Sequence, residues 1–94
     1  CMIYQAFTCT NFSATPSAIA LTIRNPNSYP LTITNFSLDN CRDNIKVVMR
    51  EETQASITLK NCFFKEVIKT NITISYTKAN LLHTARGELY YVFR

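Results

Sequence analysis

Apolar and polar residues alternate with a period of two over most of this chain. The alternation is clearest in residues 19–24, 45–50, 55–60 and 72–77. It places apolar side chains on one face of an extended segment and polar side chains on the other, which is typical of half-buried antiparallel strands. We therefore predict an all-β protein. The predicted core residues are Ile19, Leu21, Ile23, Ile57, Leu59, Ile72, Ile74 and Tyr76.

Turn-forming residues divide the chain into about seven such segments. The clearest turn is residues 25–30, which include two asparagines and two prolines. Seven short strands joined by short loops predict an immunoglobulin-like antiparallel β-sandwich, with residues 1–94 forming one domain. Antibody domains bury a tryptophan against their disulfide, and this chain contains no tryptophan. We therefore predict the architecture of the sandwich, but we do not expect an antibody-type domain.

One predicted strand changes phase. Leu31 and Ile33 lie at odd positions, whereas Phe36 and Leu38 lie at even positions. Because a shift of one residue moves side chains to the opposite face, we expect a β-bulge or a bend near residues 34–35.

The chain contains four cysteines, Cys1, Cys9, Cys41 and Cys62. An even number of cysteines in a short chain is typical of a disulfide-bonded, extracellular protein. Zinc binding is the competing interpretation, but the spacings C-x7-C and C-x20-C lack the short pairs of structural zinc sites, and His83 is the only histidine. We predict the bonds Cys1–Cys9 and Cys41–Cys62, because they join nearest neighbours and because Cys41 and Cys62 each follow an asparagine at a predicted strand end. Two other connectivities remain open.

The charge of the chain is mildly positive, with ten Lys and Arg residues against six Asp and Glu residues. The basic residues are scattered, whereas nucleic-acid-binding domains usually group them in one stripe with aromatic residues between them. No apolar stretch reaches the roughly 18 residues that a membrane helix needs. We predict no nucleic-acid partner. Contact with a membrane is expected only through an N-terminal signal or hydrophobic helix that is missing before Cys1.

No catalytic or cofactor-binding motif is recognisable. A Ser-His-Asp or Cys-His arrangement would have to use His83, which lies at a predicted strand start without a sharp nucleophile turn nearby. Glu51 and Glu52 are candidates for paired catalytic carboxylates. Because adjacent residues of a strand point to opposite faces, we do not expect them to act as a pair. Glycine-rich phosphate loops and the zinc-protease motif are absent. We predict that the protein is not an enzyme and binds neither a cofactor nor a metal.

Three N-x-S/T sequons are present, at Asn11, Asn35 and Asn71. If the chain is extracellular, each is a possible N-glycosylation site.

The last predicted strand, residues 88–93, is apolar on both faces, so a single core covers only one set of its side chains. The two sets are Leu89, Tyr91 and Phe93 on one face, and Tyr90 and Val92 on the other. Uncovered aromatic residues of this kind are typical of interfaces. Two interpretations stay open: Tyr90 and Val92 form an intermolecular interface, or the strand lies under an N-terminal segment such as residues 2–4.

The cysteine placement and the Ile/Thr-rich strands carry a resemblance that spans nearly the whole chain. The segments concerned are Cys1, FTCTNFS at 7–13, IALTIRN at 19–25, LTITNFSL at 31–38 followed by Cys41, NCFF at 61–64, ITISYT at 72–77 and LHTARGEL at 82–89. In this order they resemble the globular head of archaeal type IV pilin-like surface proteins, which are made with a class III signal peptide. The resemblance implies a hydrophobic N-terminal helix ahead of the β-sandwich.

The resemblance also implies a function. It predicts a non-enzymatic, extracellular structural subunit, exposed on a filament or at the cell surface, that packs with copies of itself or with other surface proteins. The alternative is a free-standing secreted binding module, such as an adhesin, which grips a partner through its loops or an open edge strand.

Overall fold

Eight β-strands form two antiparallel sheets in the computed structural model, which describes residues 1–42 and 45–92. The strands are β1 (Met2–Ile3), β2 (Thr8–Thr15), β3 (Ala18–Arg24), β4 (Leu31–Leu38), β5 (Ile45–Met49), β6 (Gln54–Leu59), β7 (Val67–Lys78) and β8 (Leu81–Val92). The larger sheet has the order β1-β8-β7-β4-β5 and the smaller the order β2-β3-β6. Within the described ranges the structure has no helix, and so none that is long and apolar enough to cross a membrane.

This arrangement confirms the predicted β-sandwich. With β2, β3 and β6 in one sheet and β4, β7 and β8 in the other, the strands match strands A, B and E facing C, F and G of immunoglobulin domains. The structure has one strand more than the predicted seven, because the N-terminal pair Met2–Ile3 forms a strand of its own. In addition, β5 pairs with β4 and so extends the larger sheet.

The core lies between the two sheets and consists of the side chains that alternate inward. Of the eight predicted core residues, all except Tyr76 are buried. Tyr76 is half-buried because it lies near the end of the long β7–β8 hairpin, where its ring packs edge-on against Phe7 and stacks on His83. The hydrophobic core is extended by Leu31, Ile33, Phe36, Leu38, Met49, Phe64, Ile68, Ala85 and Leu89.

The predicted irregularity in β4 is present. The pairing of β4 with β7 shifts between Ile33 and Asn35, and its pairing with β5 shifts between Ile33 and Phe36. This bulge allows Leu31 and Ile33 before it, and Phe36 and Leu38 after it, all to be buried in the same core.

Both predicted disulfides are present, and every cysteine is paired. Cys1 precedes β1 of the larger sheet and is bonded to Cys9 in β2 of the smaller sheet. Cys41 follows β4 and is bonded to Cys62, which follows β6. Each disulfide therefore joins the two sheets.

The short strand β1 pairs with β8 at Glu88 and Gly87. It packs so closely that a Cβ atom added to Gly87 would overlap the Met2 carbonyl oxygen. Gly87 is the only glycine of the chain, and it therefore serves a close approach between two backbones.

A buried asparagine connects the loops at one end of the sandwich. The Asn25 carboxamide donates to the carbonyl oxygens of Tyr29 at 2.9 Å and Arg50 at 3.2 Å. Its oxygen accepts hydrogen bonds from the backbone and the side chain of Asn27, and the Asn27 side chain also donates to the Ala6 carbonyl at 2.8 Å. These bonds satisfy a fully buried polar side chain and hold the predicted 25–30 turn against two neighbouring loops.

Candidate interaction surface

The outer face of the larger sheet is the broadest surface that the strand alternation creates. Residues at every second position of β7 and β8 point away from the core, and the cross-strand register sets them in rows. From the open end of the β7–β8 hairpin to its turn, the rows are Val67–Val92, Lys69–Tyr90, Asn71–Glu88, Thr73–Arg86, Ser75–Thr84 and Thr77–Leu82. The surface is therefore apolar at the end where β7 begins and β8 ends, and polar in its middle.

The apolar end contains the predicted interface residues. Tyr90 is 63% exposed and Val92 is 38% exposed. Val67, which pairs with Val92, is 45% exposed. Met2 lies in the edge strand β1, pairs with Glu88 of β8 and is 61% exposed. We call Met2, Val67, Tyr90 and Val92 the outer apolar patch.

The structure bears on one of the two interpretations of the last strand, its cover by residues 2–4; the intermolecular interface stays a prediction. The N-terminal segment pairs beside β8 at Gly87 and Glu88, and it does not lie over Tyr90 and Val92. On the inner face Leu89 is buried, and the Tyr91 ring packs edge-on against Phe12 at 5.5 Å. Phe93, which the sequence places on that same face, lies outside the described residues.

A groove of about 450 Å³ crosses the polar middle of this face. Its polar lining side chains are Tyr4, Asp39, Asn71, Thr73, Arg86 and Glu88, and we call it the outer groove. The Asn71 carboxamide donates to the Asp39 carboxylate at 3.1 Å. Hydrogen bonding to the Glu88 carboxylate, with smaller effects of desolvation and of the carboxylate charge, raises the pKa of Tyr4.

No pattern in the sequence alone indicates this groove. Tyr4, Asp39 and Arg86 are far apart in the chain and meet only because β1 and β4 lie on either side of the β7–β8 hairpin. The only signal in the sequence is that residues 71, 73, 86 and 88 are polar and occupy alternate positions. Alternation predicts which face of its strand a residue lies on, but it does not predict which residues of other strands lie beside it.

The three sequon asparagines differ in exposure. Asn11, on edge strand β2, and Asn71, on the outer face, are exposed. Asn35 is half-buried at the bulge, and its Oδ1 atom is buried without a hydrogen-bond partner. The geometry therefore permits a glycan at Asn11 and Asn71 and disfavours one at Asn35.

The residues considered for catalysis do not converge. His83 is exposed and stacks on Tyr76, with 5.4 Å between the ring centroids. Glu51 and Glu52 are exposed in the turn between β5 and β6. Among the described residues no three His, Cys, Asp or Glu side chains are grouped as metal ligands would be.

Comparison with known proteins gives no match: no protein-family model, no curated protein and no solved structure is significantly similar to this chain.

Proposed function

We propose that this domain is a non-enzymatic, extracellular structural subunit, the exposed head of a pilin-like filament or cell-surface protein, which associates with copies of itself through the outer apolar patch. Two disulfides in a small domain favour an oxidising compartment outside the cytoplasm. The resemblance of the sequence to archaeal pilin-like heads supports the structural role.

The single observation that carries the proposal is the exposure of Tyr90 beside Val92 and Val67. These side chains are contiguous on one face, because Val67 pairs with Val92 and Tyr90 is the next outward residue of β8. Contiguous exposed apolar patches often mark interaction sites, and tyrosine is enriched in interfaces. A second copy of the domain can bind this patch, because a two-fold interface needs only one self-complementary patch on each subunit.

Sedimentation velocity of the 94-residue protein over a range of concentrations tests the proposal. We expect the wild type to form dimers or larger species as its concentration rises. The double variant Tyr90→Ser/Val92→Ser removes the apolar side chains from the patch and should remain a monomer with nearly the wild-type free energy of unfolding.

Leu82→Ser is the matched control. Leu82 is an exposed apolar residue on the same face of β8, at the far end of the hairpin. This variant should associate as the wild type does. The proposal fails if the wild type stays monomeric at high concentration, or if Leu82→Ser and the double variant reduce association equally.

The alternative, a free-standing secreted binding module, is favoured by a different observation, the outer groove.

A further inference from the structure

The outer groove has many hydrogen-bonding groups with spare capacity. An ionised carboxylate has about four acceptor positions. The Asp39 carboxylate accepts one hydrogen bond from Asn71, and the Glu88 carboxylate interacts with Tyr4. Arg86 carries five donor hydrogens and forms no ion pair or side-chain hydrogen bond with any residue of the described part of the chain. The lining of the groove thus presents acceptors and donors that have unused hydrogen-bonding capacity.

The charges of the groove nearly cancel. Asp39 and Glu88 are negative, Arg86 is positive, and Lys69 borders the groove next to Asn71. A polyanion such as a nucleic acid would meet both carboxylates, so the groove does not suit it. A ligand whose groups both donate and accept hydrogen bonds, and which carries no net charge, suits the groove best.

Tyr4 adds an apolar surface to this polar site. Tyr4 is 56% exposed and lines the groove together with Glu88. Small-ligand sites commonly combine an aromatic surface with a few convergent polar groups, in volumes of roughly 300–1,000 Å³. Sugar rings have both features, a C–H face that packs on aromatic rings and hydroxyl groups that donate and accept.

We propose that the outer groove binds a neutral oligosaccharide. The Tyr4 ring packs against one sugar ring, the Asp39 and Glu88 carboxylates accept from its hydroxyl groups, and Arg86 donates to its oxygen atoms. The groove shares no residue with the outer apolar patch, although the two adjoin on the outer face, where Met2 pairs with Glu88.

NMR titration of the ¹⁵N-labelled protein tests the inference. Asn71 is itself a sequon residue and lines the groove, so the protein is made in a bacterial periplasm that attaches no N-glycan. The probes are cellotriose, maltotriose, mannotriose and chitotriose. We expect at least one of them to cause saturable shifts centred on residues 4, 39, 71–73 and 86–88.

Two variants and two matched controls locate the site. Tyr4→Ala and Asp39→Asn should each raise the Kd of the bound trisaccharide at least about tenfold, as expected for the loss of an aromatic contact or of a hydrogen bond to a charged group. Tyr29→Ala and Glu51→Gln change a tyrosine and a carboxylate away from the groove and should leave the Kd unchanged.

The inference is overturned if none of the four probes causes saturable shifts, if the shifts map outside the groove, or if the variants and their controls bind alike. It is also overturned if a sulfated or uronic-acid oligosaccharide binds in the groove and the neutral ones do not. Sedimentation of the same samples reports self-association separately, so the two proposals can fail independently.

Discussion

At the scale of single residues, the chain places its one glycine in a strand and leaves its tight turns to other residues. Positive φ angles occur at Ala6, Glu52, Asn61, Ala79 and Asn80 in the described part of the chain. The left-handed conformation costs residues with a Cβ atom roughly 1–2 kcal/mol. The cost is smallest for asparagine, whose side chain forms hydrogen bonds with the nearby backbone. Ala79 is therefore the least suited residue of the β7–β8 turn.

Ala79→Asn should stabilise the protein. Ala79 and Asn80 have φ angles of 51° and 64° and form the two-residue turn between Lys78 and Leu81. Such a turn, with positive φ at both positions, favours asparagine at the first. We expect the free energy of unfolding in urea to rise by about 0.5–1 kcal/mol.

Ala79→Val is the opposite control for the same position. A β-branched residue is least compatible with positive φ, so this variant should lose about 1 kcal/mol or more. Equal stability of the asparagine and valine variants would show that the turn does not keep this conformation in solution.

At the scale of elements, the least expected feature is β1. Its two residues pair with β8, and its packing depends on the missing side chain of Gly87. The strand also positions Tyr4, whose amide donates to the Arg86 carbonyl at 2.9 Å. The rim of the outer groove therefore depends on a strand of two residues.

Gly87→Ala should displace β1. The new methyl group would overlap the Met2 carbonyl, and a backbone obstacle cannot rotate away as a side chain can. We expect a loss of about 1–3 kcal/mol, the usual cost of overpacking, together with faster hydrogen exchange of the Tyr4 amide.

Thr84→Ala is the control for this strand. Thr84 is exposed on the outer face of β8, so its truncation should change stability by less than about 0.5 kcal/mol and leave the Tyr4 amide protected. If Gly87→Ala behaves in the same way, the close contact between β1 and β8 is not maintained in solution.

At the scale of the whole molecule, the two disulfides act together with the core. Both of them cross between the sheets, one at the β1 edge and one between the loops after β4 and β6. A domain of this size buries only about two-thirds of its unfolded surface, so covalent links matter for its stability.

Removing either disulfide should destabilise the domain, and the longer loop should matter more. In the chain-entropy treatment, Cys1→Ser/Cys9→Ser costs about 2.5 kcal/mol and Cys41→Ser/Cys62→Ser about 3.3 kcal/mol. Urea denaturation of the two double variants measures both losses.

Hydrogen exchange on the same samples separates two roles of the first disulfide. If Cys1–Cys9 mainly holds β1 in place, its loss exposes the Tyr4 amide while the β7–β8 ladder stays protected. Wild-type stability in either double variant would contradict a structural role for that disulfide.

The alternation of Ile19, Leu21 and Ile23 with polar neighbours was sufficient to predict an inward face, because the direction of a strand side chain depends only on its parity. The bulge in β4 was predictable for the same reason, since the phase change from Ile33 to Phe36 is itself a change of parity. The disulfide pairing followed from the short separation of the partners along the chain. All of these are local properties of the sequence.

Other features depended on contacts between residues that are distant in sequence. Nothing near Met2 indicates that it pairs with Glu88, and nothing in β5 indicates that it extends the sheet of β4. The outer groove arises in the same way, because cross-strand register brings Tyr4, Asp39 and Arg86 onto one face. Register and sheet membership are set by the packing of the complete sandwich, so only the tertiary structure could decide them.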